Sequence, residues 1–362
     1  MIVLNLELDN LFGFENFKIN FSYLDNIKNS SIKDEFLKDR PNFRYKKVNI
    51  LLGANATGKT SVGKAMMAIF NFLNRKEIST VTQYIRNIKE KMTFSMDFIL
   101  DGKNILYRAN IEYKRIDENE KIDLALYKAD ILKEDSYETT SNKFEKVNLE
   151  NESYIETLKK LERVSGWLFT YPDQGSNFLK TNNEVMNKKV FANILKTLDP
   201  SIEKVKKLDE VKNAYILTLK GEDIIIQDGK FVENNIFSSG TKAGLDIAYI
   251  TSAIKKNTHV FYYCDEKFSY IHSDIEKAIL SLMIDFLKPN TQLFFTTHNL
   301  EVLSMDLPLH CFTFLKKDKK IEVVHASEYI GEDNIFLEEA IKNDVFNTAP
   351  CLDLIYELEE DN

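Results

Sequence analysis

The sequence predicts an α/β fold built on a largely parallel sheet, with a separate lobe inserted into it. Three observations predict this. The apolar run Val48–Leu52 leads directly into Gly53-Ala-Asn-Ala-Thr-Gly58-Lys59-Thr60 and then into a stretch with helical spacing. Two more apolar runs, 260–264 and 292–296, alternate with helical patterns over 240–255 and 273–286. Strands that alternate with helices in this way argue for parallel pairing. Between about 114 and 230 the compact pattern gives way to charged, helix-permissive stretches. The chain therefore reads as a discontinuous core, 1–113 and 231–330. An inserted, mostly helical lobe occupies 114–230, and a helical tail with an acidic end occupies 331–362.

The elements follow in order. Ile2-Val-Leu-Asn-Leu-Glu-Leu8 alternates apolar and polar residues, the period of a half-buried strand. Residues 10–21 read as a turn and a second strand. Val48–Leu52 is apolar apart from Asn49, which suits a strand covered on both faces. From Thr60, Val62, Ala65, Met66, Ile69, Phe70 and Leu73 recur at helical spacing. The runs 93–100 and 105–113 meet at Asp101-Gly102, a hairpin signal. Inside the lobe, 151–163 and 188–198 read as helices and 209–226 as returning strands. Trp167, Phe169 and Tyr171 read as core.

Composition narrows the function classes. The chain has 362 residues, 44% of them apolar, and a formal net charge of −8. The overall balance lacks the basic stripe typical of nucleic-acid binding. Lys38–Lys47 is locally basic, with Phe43 and Tyr45 interleaved, and reads as a solvated loop before a strand. Cys264, Cys311 and Cys351 show neither a CxxC pair nor metal spacing, which fits a reducing compartment. No apolar stretch approaches the roughly 18 residues of a membrane helix, and no leader pattern precedes the first strand. The expectation is a cytoplasmic protein.

The chemistry is concentrated in four places. Gly53–Thr60 matches G-x-x-x-x-G-K-[ST] in full. Average usage gives that pattern by chance about once in a hundred chains of this length. The glycines let the backbone N–H groups turn inward to phosphate, and the following helix adds its positive end. Gly53, Ala54, Asn55, Ala56, Thr57, Gly58, Lys59, Thr60 and Ser61 are thus candidate nucleotide-binding residues, with Lys59 on the β- and γ-phosphates and Thr60 on Mg²⁺. Second, the run 260–264 ends in Asp265-Glu266, a metal-binding carboxylate followed by a candidate general base. Third, Gln292–Thr297 carries His298 at what would be the same sheet edge, within reach of a γ-phosphate. Fourth, Phe237-Ser238-Ser239-Gly240-Thr241-Lys242 opens a helix, a second phosphate site of the kind that two chains packed head to tail would use.

In this order the motifs resemble the ABC ATPases, in the SMC/RecF branch, and most of all the OLD-like and abortive-infection AAA ATPases of prokaryotes. Leu11-Phe-Gly-Phe-Glu-Asn-Phe17, Phe237–Lys242 and Ser269-Tyr-Ile-His272 carry the closer likeness. The resemblance covers 1–112 and 235–300. It implies an ABC-type ATPase head, a P-loop NTPase with a mixed sheet, binding ATP and Mg²⁺ in a homodimer or a higher even oligomer. It further implies that Ser238, Ser239 and Gly240 contact the partner's γ-phosphate and that Ser269 lies at the dimer seam. The family's Mg²⁺-side glutamine has one candidate, Gln83. The nuclease domain of OLD proteins is not expected in the 64 residues after His298, so a separate nuclease or toxin is the expected effector partner, in an anti-phage or abortive-infection system. A RecF-like, DNA-binding maintenance ATPase is the alternative.

Overall fold

A computed structural model describes residues 1–24, 30–116, 119–149, 152–162, 164–172, 187–208, 210–211, 214–227, 230–231, 239–329, 337–346 and 348. In chain order the strands are β1 (Ile2–Asp9), β2 (Phe17–Asn20), β3 (Phe36–Leu37), β4 (Arg40–Arg44), β5 (Val48–Leu52), β6 (Met92–Ile99), β7 (Ile105–Ile116), β8 (Asn119–Asp130), β9 (Glu145–Lys146), β10 (Trp167–Thr170), β11 (Ile202–Leu208), β12 (Ala214–Leu219), β13 (Glu222–Gln227), β14 (Lys230–Phe231), β15 (Phe261–Asp265), β16 (Gln292–Thr296), β17 (Phe312–Lys317) and β18 (Ile321–His325). The helices are α1 (Lys59–Arg75), α2 (Ser79–Thr82), α3 (Tyr137–Ser141), α4 (Tyr154–Lys159), α5 (Lys188–Leu198), α6 (Ser239–Lys256), α7 (Ser273–Phe286), α8 (Ala326–Tyr329) and α9 (Leu337–Lys342).

Two six-stranded sheets carry the architecture. One is antiparallel, in the order β2-β1-β6-β7-β8-β9. The other runs β10-β15-β16-β5-β17-β18. Its first five strands pair in parallel and β18 closes the edge antiparallel. All five residues of each of β5, β15 and β16 are buried. Side chains alternate faces along a strand, and here each face has its own core. Val48, Ile50, Leu52, Tyr262, Cys264, Leu293 and Phe295 pack with α6 and α7. Leu51, Phe261, Tyr263 and Phe294 pack with α1 and the inner face of the antiparallel sheet. Helix α1 is thus enclosed between the two sheets. Phe70 on α1 meets Phe261 at 4.9 Å and Phe169 at 5.6 Å between ring centroids. Each such buried ring contributes ~1.5–3 kcal/mol.

Gln292 joins the sheets. Its Oε1 accepts from Val3 N at 2.9 Å, and its Nε2 donates to Val3 O at 3.0 Å and Lys46 O at 3.1 Å. In the antiparallel sheet, Asp97 lies opposite Arg108. Its fully buried carboxylate accepts two bonds from that guanidinium at 2.7 Å each and a third from Tyr137 Oη at 2.7 Å.

Several expectations hold. The Asp101-Gly102 hairpin joins antiparallel β6 and β7, with Gly102 at φ +69°. Phe169 and Tyr171 are in the core, and Trp167 is partly buried against it. The helical patterns over 188–198 and 273–286 are α5 and α7. Helix α5 is capped by Asn187, whose side chain accepts from Val190 N.

Two expectations need correction. The stretch 114–230 is not mostly helical: among the described residues it holds the short helices α3, α4 and α5 but most of β8 to β14, including the antiparallel sheet β11-β12-β13-β14. Its charged residues sit on the solvated face of exposed strands, as in β13, buried only at Ile224 and Ile226, so high charge mimicked a helical surface. The basic stretch Lys38–Lys47 is likewise no solvated loop. Strand β4 turns Phe43 inward and Tyr45 follows it into the core, which carries Lys46 and Lys47 inside as well. Their ammonium groups find acceptors there: Lys46 Nζ at His325 Nδ1, 3.0 Å, and Lys47 Nζ at Lys33 O, 2.6 Å. Burial pushes both lysines down to about 8. Of the expected tail, α9 is described and residues 351–362 lie outside the described residues. Among the described residues, no helix is long and apolar enough to cross a membrane.

Asp97→Asn keeps the shape but leaves the Arg108 charge without its carboxylate. Because Arg108 still reaches solvent, the expected loss is about 3 kcal/mol, the lower end for a broken buried pair. A denaturant melt that moves by less than 1 kcal/mol contradicts this.

Candidate nucleotide site

The loop Gly53–Gly58 connects β5 to α1, and its backbone needs conformations that side chains resist. Gly53 has φ +153° and Gly58 has φ +101°. A Cβ on Gly53 would lie 2.4 Å from Leu315 O, and one on Gly58 would lie 2.9 Å from Ile321 Cδ1. Thr57 Oγ1 donates to Ala54 O at 2.9 Å and braces the loop from within. Lys59, the first residue of α1, is buried, and its Nζ donates to Gly53 O at 2.8 Å and Ala54 O at 3.1 Å. Asn55, Ala56, Thr57, Gly58, Lys59, Thr60 and Ser61 line a cavity of about 440 Å³, with Phe12, Gly13, Glu266, Lys317 and Ile321 completing the wall. Its size is right for a small ligand.

The two acids stand at the end of β15. Asp265 is fully buried. It accepts from Thr60 Oγ1 at 2.6 Å through one oxygen and from Thr296 Oγ1 at 2.6 Å through the other. Burial raises its pKa, and the two hydroxyl bonds oppose that rise. Glu266 has φ +44°, a left-handed conformation that costs a non-glycine residue about 1–2 kcal/mol and gathers at functional sites. Its N–H is held by Thr296, at the carbonyl (3.2 Å) and the hydroxyl (3.1 Å). Its Oε1 lies 3.1 Å from Lys59 Nζ. The hard oxygens of Thr60 and Asp265 are the donor type that Mg²⁺ takes, so the residues present fit that ion.

The other predicted residues are placed as follows. Ser239 and Gly240 open α6, and Gly240 is not among the residues lining the cavity. Ser238 lies outside the described residues. His298 is exposed just past β16, on a turn fixed by Asn299, whose Nδ2 donates to Glu276 Oε2 at 2.7 Å. Ser269 Oγ donates to Glu266 O at 2.9 Å. Gln83 is exposed and donates to Thr80 O, away from the cavity wall.

Residues 48–304, more than half the chain, match the family "AAA domain, putative AbiEii toxin, Type IV TA system". The chain belongs to this family. Its fold is that of an SMC-type P-loop ATPase head. The SMC head bound to the C-terminal winged-helix domain of ScpA aligns over 94% of this chain and 100% of its own at TM-score 0.54, with 14% identity. An SMC head with an extended coiled coil, bound to the C-terminal domain of ScpA derived from Pyrococcus furiosus, aligns over 96% and 100% at TM-score 0.54, with 13% identity. No curated protein matches the chain.

In this AbiEii-type ATPase, three site residues escaped the sequence motifs. Thr296 is the hydroxyl on Asp265 and the anchor of Glu266. Tyr263 Oη donates to Lys59 O at 2.7 Å, and a Cβ on Gly63 would lie 2.5 Å from the Tyr263 ring. Gly63 thus lets α1 lie against β15, which brings Thr60 to Asp265. An apolar strand supplies no local signal for such contacts. The nearest hint was a threonine at the end of β16, in register with Asp265.

Two outcomes follow. Asp265→Asn removes a buried charge, so in the absence of nucleotide its melting temperature is expected to exceed the parent's at pH 7. The folded Asp265 binds its proton more tightly than the ordinary 3.8. The parent therefore loses stability as pH rises from that value through the raised one, and the advantage of the variant shrinks on acidification. A pH-independent difference in calorimetry defeats this account. Gly63→Ala pushes α1 off β15 and is expected to weaken nucleotide binding about tenfold, near 1.4 kcal/mol, as read by titration calorimetry.

Proposed function

We propose that this chain hydrolyses ATP between two copies of itself, or a higher even number, and that the cycle switches a separate effector in a prokaryotic anti-phage defence system. The observation that carries the hydrolysis is the convergence of Lys59, Thr60 and Glu266 on one cavity, with Asp265 bonded to Thr60 just behind its wall. Lys59 would hold the β- and γ-phosphates. Thr60 and Asp265 would hold Mg²⁺, which when bound draws charge off the phosphates. Glu266, its backbone fixed by Thr296, takes the proton of the attacking water. His298 contacts the γ-phosphate from the same sheet edge.

The dimer reading is supported by α6. Its N-terminal end has the dipole and backbone donors suited to phosphate, yet Gly240 does not line its own chain's cavity. Ser238, Ser239 and Gly240 therefore seal the phosphate held by the partner, with Ser269 at the seam. The defence role rests on the family description, which names an AbiEii toxin of a type IV toxin–antitoxin system. The cytoplasmic setting rests on the scattered, unpaired pattern of the cysteines in the sequence. The effector itself, a nuclease or toxin, is a separate chain.

The test is Glu266→Gln with Mg·ATP. Nucleotide affinity should stay within about threefold of the parent while turnover falls at least about a hundredfold, the usual scale for a lost general base. Light scattering should show twice the 42.1 kDa chain mass. Adding Ser239→Arg should abolish the dimer and leave binding to single chains intact. A Glu266→Gln protein that turns over normally, or remains monomeric at saturating ATP, sinks the reading.

A further inference from the structure

Lys267 follows Glu266 directly and turns the opposite way, into the core. Its Nζ lies 2.6 Å from Asp246 Oδ2, with both side chains almost wholly buried. Asp246 sits on α6, two helical turns beyond the Ser239–Gly240 end. Its other oxygen, Oδ1, is buried without a hydrogen-bond partner, so Lys267 is the one cation that neutralises it among the described residues. A buried pair of this kind is a poor source of stability, because desolvation offsets most of the attraction; its better-attested use is to fix one arrangement over others. The arrangement at stake is the left-handed backbone at Glu266, stretched between Thr296 on one side and Lys267 on the other.

Helix α6 is also tied at its start. Thr241 Oγ1 donates to Asp199 Oδ2 at 3.1 Å, at the end of α5. Gly244 brings α6 against α5 so closely that a Cβ there would lie 2.7 Å from Leu198 Cδ1. One rigid helix therefore touches the inserted stretch at one point and the residue after Glu266 at another. We propose that Lys267 and Asp246 are a positioning pair that sets the pose of Glu266 according to the seat of α6, so that sealing the partner's phosphate with the α6 end aligns the base in the same chain. This rests on the reading of Glu266 as general base and of α6 as the partner-facing phosphate site.

The experiment is steady-state ATP hydrolysis by the full chain carrying Lys267→Met, Asp246→Leu and both together, with Glu266→Gln as control. Either single change leaves a buried charge unpaired and can cost folding, so the double variant decides. It is expected to fold with a melting temperature near the parent's. Its kcat should fall about thirtyfold while the KM for ATP stays within about threefold, a loss confined to the chemical step. Where the single variants fold, their losses should not add in the double. A double variant that folds and turns over at the parent's kcat overturns the proposal. So does one that cannot fold, since the pair then serves stability alone. If Glu266→Gln itself retains activity, the reading beneath has failed; if Glu266→Gln is inactive and the double variant is fully active, only this inference has failed.

Discussion

Asp265 accepts one hydroxyl from Thr60 and one from Thr296, each at 2.6 Å. Through that carboxylate the start of α1, the end of β15 and the end of β16 are drawn to a single point. Burying an acid is costly, and the raised pKa records the cost. Two charge-assisted hydrogen bonds offset part of it. The other residues of the candidate site are positioned outward from this point. Thr296 also holds the amide of Glu266, and Glu266 in turn faces Lys59. A buried acid that weakens the fold is what the proposed Mg²⁺ site would require, since that site needs a fixed negative charge beside Thr60.

That convergence depends on how closely α1 approaches the parallel sheet. The helix is enclosed between two sheets, and its contact with β15 is set by Gly63 under the ring of Tyr263. The Tyr263 hydroxyl reaching Lys59 O fixes the helix lengthwise as well. The second sheet is joined to the first by Gln292, which satisfies the backbone of Val3 on both its N–H and C=O. A hydrophobic interface alone tolerates sliding. A side-chain amide bonded to backbone groups of another sheet does not, because any slip leaves buried polar groups unpaired.

Helix α6 connects the site to the rest of the molecule. It packs in the core beneath the parallel sheet, touches α5 through Gly244, and meets the residue after Glu266 through Asp246. The stretch 114–230 is thus joined through one helix to the residue that follows Glu266.

The residues of the Gly53–Thr60 loop were legible in the sequence because their requirements are local. Gly53 and Gly58 are needed for their own backbone angles, and Lys59 and Thr60 for their fixed place on the next helix turn. The runs 48–52, 260–264 and 292–296 were legible as strands for the same reason, since a strand buried on both faces is largely apolar. The inserted stretch misled because charge marks solvent exposure and does not distinguish an exposed strand from an exposed helix. Lys46 and Lys47 misled because burial is decided by neighbouring aromatics and distant acceptors. By itself the sequence determined the Gly53–Thr60 loop, the acidic pair and three neighbouring strands of the parallel sheet. Only the tertiary structure decided that Thr296 holds Asp265, that Gly63 admits Tyr263 and that Lys267 meets Asp246, because each pair is brought together by packing between elements 21 to 200 residues apart in the chain.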